Sequence, residues 1–189
     1  VKAKTLLEEV IKQYPKTDAA ANSKNLLHQI QLPSINLQTE KVNLPDEAFR
    51  SLVKYKNANT IYLRAVKIDR NEMKELELKG YDFIWPALVK LKAAKEWKVD
   101  LPETKDLQEH SAEIKMEALP MGTYIILASL KPSFSLSENI IARQATYISN
   151  ISYIYNDKKE LYVLHRNNGE PLAKVTVQVW DDKYDYNSR

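Results

Sequence analysis

The residues able to carry chemistry are few and scattered. The three histidines, His28, His110 and His165, fall in three different expected elements, without the helical His-Glu-x-x-His spacing that aims two imidazoles at one metal ion. Glu109 beside His110 is a carboxylate–imidazole neighbour of the kind used in proton transfer, although a surface or turn histidine is the plainer reading. Asp181, Asp182 and Asp185 could offer oxygens to Ca²⁺, which takes six to eight ligands, but the run lacks the Gly and terminal Glu of a helix–loop–helix calcium site. A solvated loop accounts for it better. Asp100, Glu103 and Asp106 are spread along a polar connection, and a solvated loop accounts for them as well. Nothing marks two of the 25 acidic residues as a glycosidase pair, and 3 glycines are too few for a phosphate-cradling loop. With no cysteine, a thiolate zinc site, a disulfide and a Cys nucleophile are excluded. The expectation is a chain without catalytic, cofactor-binding or metal-binding residues.

Two aromatic clusters remain. Tyr81, Phe83 and Trp85, near Trp97, are expected to pack inside a helical insertion. Trp180, Tyr184 and Tyr186 form the candidate interface with another domain or a partner, because aromatic platforms serve both protein contacts and sugar binding.

The elements that must position these groups follow from hydropathy. In residues 1–32, Ala3, Leu6, Leu7, Val10, Ile11 and Tyr14 share one helical face. Pro15 stops that helix, and Thr17 and Asp18 can cap a second whose apolar face is Ala21, Leu26, Leu27 and Ile30. Tyr14-Pro15-Lys16-Thr17-Asp18 before an Ala-rich helix resembles the turn of tetratricopeptide-type repeats. Since such solenoids need about three repeats, this pair reads as the last repeat of an array or as a plain hairpin packed on the following domain.

From Leu32 onward the period changes. Segment 35–42 is short and polar, while 47–56 carries Phe49, Leu52, Val53 and Tyr55. Residues 60–68 read as a strand whose alternation slips at Ala65 and Val66, which a bulge or two-sided burial would explain. Residues 112–118 alternate as a half-buried strand. Pro120-Met121-Gly122 turns into Tyr124–Leu130, apolar on both faces and so expected at a sheet centre. Strands are also expected over 140–148, 151–156, 160–166 and 174–180, with a tight turn at Asn168-Gly169. Residues 70–79 and 83–95 lack alternation and read as amphipathic helices separated by Gly80, with Asp82 a possible cap and Pro86 in the first turn of the second helix. Strands with turn signals every ~8–12 residues argue for a sandwich.

Composition bounds the partners. The net charge of +3 comes from interleaved signs, without the basic block that a row of phosphates requires, so nucleic acid is not expected. No apolar run approaches the ~18 residues of a membrane span, so any membrane association is expected through an anchor outside the segment. Val1 in first place suggests a processed or excised piece.

One stretch is specific enough to name a family. Leu119-Pro120-Met121-Gly122-Thr123-Tyr124-Ile125-Ile126-Leu127-Ala128-Ser129 resembles the "leu-pro-x-gly-x-tyr" strand of macroglobulin-like domains. Tyr147 to Tyr153 resembles the opening of a following domain of that type. Leu161 to Arg166, Gly169-Glu170-Pro171-Leu172-Ala173 and Val175-Thr176-Val177 resemble its "gly-x-pro-leu-x-x-ala-x-val" hairpin, with Lys174 where Ala is common. The whole is similar to the N-terminal region of bacterial alpha-2-macroglobulin family proteins. The chain is thus expected to be mainly β: hydropathy gives a helical hairpin over 1–32 and a helical insertion at about 70–95, and the resemblance implies an immunoglobulin-like, macroglobulin-like β-sandwich over 33–148 and a partial second sandwich over 149–189. The resemblance also implies a large secreted or envelope-anchored protease inhibitor, periplasmic or outer-membrane-anchored, that traps proteases through a bait region and often a Cys-Gln thioester. Neither device is expected in this chain, whose partners would be the other domains of the same chain and proteases. Its expected role is a non-catalytic structural and interaction module. The alternative is a carbohydrate- or surface-binding sandwich, because the gly-x-pro-leu hairpin is shared by many extracellular β-modules.

Overall fold

A computed structural model describes residues 2–178, which fall into two units, one ending at Ser149 and one beginning at Asn150. The first starts with helices α1 (Lys2–Gln13) and α2 (Asp18–Gln31), packed on each other. Thr17 caps α2 as expected: its hydroxyl accepts from the Ala20 N–H (3.3 Å) and donates to the Tyr14 carbonyl (2.7 Å). The apolar stripes are only partly covered. Leu6, Tyr14 and Leu26 stay exposed, and α1 contains no buried residue.

The sandwich follows: β1 (Ser34–Thr39), β2 (Val42–Asn43), β3 (Phe49–Lys56), β4 (Thr60–Lys67), β5 (Ala93–Asp100), β6 (His110–Met116), β7 (Gly122–Ser129) and β8 (Ile141–Ile148). One sheet has the order β1-β3-β6 and the other β2-β8-β7-β4-β5. All named pairs are antiparallel except β2 with β8. Ile35, Leu37, Val53, Tyr55, Ile114 and Met116 of the smaller sheet bury against Ile61, Leu63, Ala65, Tyr124, Ile126 and Ile148 of the larger.

Between β4 and β5 the chain forms α3 (Arg70–Leu78) and α4 (Tyr81–Lys90), which cover the other face of the larger sheet. There Val66, Ile68, Ile125, Leu127 and Phe134 bury with Ile84 and Leu88. Strand β7 therefore lies between two cores, Tyr124 and Ile126 facing one and Ile125 and Leu127 the other. At about 1.5–3 kcal/mol per fully buried large aliphatic side chain, both faces favour the strand's central place. The slip at Ala65/Val66 has both expected causes: the register against β5 shifts there, and Val66 is buried beneath the helices.

The expectations for the helical insertion need correction. The second helix ends at Lys90 rather than 95, and Ala93–Asp100 is a strand with alternating half-buried and exposed residues. The cap of α4 is Gly80 (φ +98°), with no side-chain hydrogen bond; Asp82 sits inside the first turn, where its charge still suits the helix N-terminus. Because α4 starts at Tyr81, Pro86 lies beyond that turn, inside the helix. Helix α3 instead carries a capping box: Asp69 accepts from the Asn71 N–H (2.7 Å), and Glu72 from the Asp69 N–H (3.1 Å).

The second unit contains β9 (Ile151–Tyr155) paired antiparallel with β10 (Leu161–His165). The turn at Asn168-Gly169 forms as expected. Gly169 takes φ +74°, its N–H donates to the His165 carbonyl (2.8 Å), and Leu164 bridges to Pro171. Residues 174–178 form no strand, and Lys174 takes φ +59° in a turn. Alternation there shows how side chains would sit in a sheet, but a strand also needs a paired edge. The remainder of the expected 174–180 strand lies outside the described residues.

Candidate interaction surface

The expected interface residues Trp180, Tyr184 and Tyr186, like Asp181, Asp182 and Asp185, lie outside the described residues. The other aromatic cluster divides. Trp97 lies on β5 and packs against the sandwich core, its indole N–H buried without a partner among the described residues. Trp85 packs half-buried on the core beneath the helices, whereas Tyr81 and Phe83 are exposed. The expected packing inside the insertion therefore holds for Trp85 alone. Helical spacing places Tyr81 and Trp85 on one face, where their rings meet edge to face at 6.5 Å and 77°.

The histidines are not brought together. His28 is exposed in the last turn of α2 and His165 belongs to the second unit. His110 pairs with Asp106 rather than Glu109, its Nε2 standing 2.9 Å from Oδ1. That hydrogen bond, then one from the Gln108 N–H, holds the Asp106 carboxyl below the usual aspartate range. The pair fastens the β5–β6 connection, to which the Tyr55 hydroxyl also donates at the Pro102 carbonyl (3.0 Å). Asp100 accepts from the Thr60 hydroxyl (2.9 Å), and Glu103 lies 3.6 Å from Lys105. Among the described residues no three His, Cys, Asp or Glu side chains are placed to hold a metal ion, and no helix is long and apolar enough to cross a membrane.

The stretch that carried the family resemblance has a clear geometry. Leu119 is buried and its carbonyl accepts from the Asp46 N–H (2.9 Å). Gly122 opens β7 with φ +157°, a region that side chains disfavour. Tyr124 is fully buried, and its hydroxyl has no hydrogen-bond partner among the described residues. Burial, and secondarily the charge of Asp46, pushes its phenol above the ordinary tyrosine value.

Shallow cavities lie on the sandwich unit, among them one of about 200 Å³ between α3 and α4, lined by Glu72, Leu76, Lys79, Ala87 and Leu91. Another, of about 450 Å³, is lined by Phe49, Arg50, Glu113, Ile114 and Lys115, with the exposed Arg50–Glu113 ion pair (2.8 Å) at its rim. A third, of about 430 Å³, is lined by Tyr81, Trp85, Leu136, Asn139, Ile140 and Ile141. Beside it the Arg143 guanidinium lies 5.6 Å from the centre of the Trp85 ring. Sequence reading found the aromatic half of this cavity but not the β7–β8 loop or Arg143, more than fifty residues away.

The class defined by these sheets is a mainly β, immunoglobulin-like sandwich decorated with helices. Among solved structures, native alpha-2-macroglobulin from Escherichia coli, over its domains MG0-NIE-MG1, is similar at TM-score 0.51 and 12% identity, covering 74% of this chain. This chain spans 47%, about half, of that fragment. The likeness is one of fold, macroglobulin-like in kind. A CARDB domain from Pyrococcus furiosus, solved in complex with di-metal ions, matches at TM-score 0.34 and 13% identity, over 62% of this chain and 92% of its own. Its solution structure matches at TM-score 0.32 and 14% identity, over 61% and 93%. No family model matches the sequence, and no curated protein does.

Proposed function

We propose that this chain is a non-catalytic structural and interaction module of an envelope-associated alpha-2-macroglobulin-like protease inhibitor. The observation that carries this reading is the coincidence of fold and motif. The sandwich resembles the E. coli fragment, and the leu-pro-x-gly-x-tyr stretch supplies its two-faced central strand. Leu119 and Tyr124 fill the core, and Gly122 makes the turn into β7. In this reading the sandwich is a spacer, and the protease-engaging parts belong elsewhere in the same protein. The location is extracytoplasmic, in the periplasm or anchored to the outer membrane. The sugar-binding alternative gains nothing from Trp97, which is committed to the core.

The test uses the full-length native protein, fractionated from its host and then mixed with a panel of endoproteases. A trap leaves cleavage of small chromogenic peptides intact while blocking cleavage of a large protein substrate. A cytosolic location, or undiminished cleavage of the large substrate across the panel, would refute the reading.

A further inference from the structure

We infer that the cavity between α4 and the β7–β8 loop is a docking site for an acidic peptide segment, one carrying a bulky apolar side chain next to a carboxylate. The inference is independent of the family reading.

The loop that forms one wall is anchored at both ends. Outside the cavity itself, Phe134 of the loop is buried in the core and lies under the Arg64 guanidinium, 4.1 Å from its ring centre. Asn139 holds the other end: its Nδ2 donates to the Ser129 hydroxyl (2.9 Å) and the Ser135 carbonyl (2.8 Å), and its Oδ1 accepts from the Ile140 N–H. The opposite wall is Trp85, with Tyr81 braced against its edge. A peptide would therefore meet a largely pre-formed surface, which lowers the ordering cost of binding. At about 430 Å³ the cavity is open and shallow, with room to seat one bulky side chain against Trp85 rather than to enclose a whole ligand.

Charge decides the occupant. Arg143 projects from β8 on the face covered by α4, and among the described residues no carboxylate stands within ion-pair distance of it. The exposed Glu138 of the loop lies 4.0 Å from Lys131 instead. An unneutralised, half-buried guanidinium over an aromatic ring suits a carboxylate donated from outside. Sugar is the weaker candidate. The side chains of Leu136, Ile140 and Ile141 offer no hydrogen bonds and the one lining amide, Asn139, is spent on the loop, so the lining gives a sugar little beyond the Tyr81 hydroxyl and the Trp85 indole N–H.

The experiment titrates the 189-residue chain with fluorescein-labelled acetyl-Ser-Glu-Phe-Asp-Ser-amide, following polarisation and the indole N–H resonance of Trp85 by NMR. Saturable binding that shifts this resonance is expected. Replacing Phe by Ala, or both acids by their amides, should weaken it at least about tenfold, the equivalent of one lost charge-assisted contact. Trp85→Ala would also loosen the core under the helices, so the protein variants are Arg143→Gln and Tyr81→Ala, each expected to weaken binding to a similar degree. The proposal is overturned by absence of saturation at millimolar peptide, by equal binding of the neutral peptide, or by Arg143→Gln binding as the parent does. Displacement of the peptide by cellohexaose or chitohexaose would overturn it in favour of a sugar site.

Discussion

The guanidinium of Arg64 lies 4.1 Å above the ring of Phe134, and the same group donates to Glu96 from Nε (2.6 Å) and to the Val89 carbonyl from Nη1 (3.0 Å). One side chain on β4 thus joins the β7–β8 loop, the last turn of α4 and the edge strand β5. A planar fork can stack and donate in two directions at once, which an ammonium cannot.

Arg64→Lys is accordingly expected to cost about 1 kcal/mol and Arg64→Ala about 2 kcal/mol, with the part owed to half-exposed Glu96 discounted for screening. Urea denaturation gives the totals, and amide exchange should show α4 loosening first. Unchanged midpoints in both variants would contradict this role.

Tyr124→Phe should be neutral or stabilising by about 1 kcal/mol, since it removes a buried hydroxyl without a partner among the described residues while keeping the ring. The folded phenol titrates above the unfolded one, so its stabilising effect is complete below about pH 10 and is lost as pH rises through the folded value. Urea midpoints at neutral and alkaline pH should therefore fall less steeply for the variant. A destabilised Tyr124→Phe would mean that the hydroxyl has a role the structure does not show.

Gly122→Ala should destabilise by about 1–3 kcal/mol through backbone strain. An added Cβ would also meet Lys67 Cε at 2.7 Å and Tyr124 Cε2 at 3.2 Å. The lysine tip can swing aside, so Lys67→Ala in the same chain should leave most of the cost. Full rescue in the double variant would assign the effect to the clash instead.

Asn57 adopts φ +51°, and its amide donates to the carbonyls of Ile30 and Gln31 (3.0 Å each), closing the C-terminal end of α2. Asn57→Gly keeps the backbone accessible and deletes the donor. It should speed amide exchange and proteolysis in the helical hairpin, by about 1 kcal/mol of local stability, with little change in the sandwich. Asn57→Ala should weaken the sandwich as well, because Ala tolerates that φ poorly.

Much of this arrangement is legible in the sequence where a local rule and a tertiary need coincide. Thr17 caps a helix, Asn168-Gly169 turns, and the two-faced apolar run of β7 announces a central strand. Strand β5 is obscured by Lys95, a half-buried residue on the inward side of the alternation whose ammonium reaches the Ala118 carbonyl (3.3 Å) and Glu117 (3.2 Å). Read as letters, that lysine breaks the apolar alternation, and Trp97 is then grouped with the aromatics nearest in sequence. The candidate site is legible only by halves. Helical spacing brings Tyr81 to Trp85, but nothing local brings Ile140 and Arg143 to them; only the crossing of α4 over β8 does.

The way the first unit ends also bears on how it would carry load. Strand β8 is laddered to β7 along its whole length and to β2 near its end; the Ser149 N–H donates to the Asn43 carbonyl, and the Asn43 amide donates to the Thr146 hydroxyl. A pull on Ser149 directed along β8 would run across these hydrogen bonds rather than open them one at a time. They would have to yield together, in shear, and the exit of the chain is thereby built as an anchorage that resists tension.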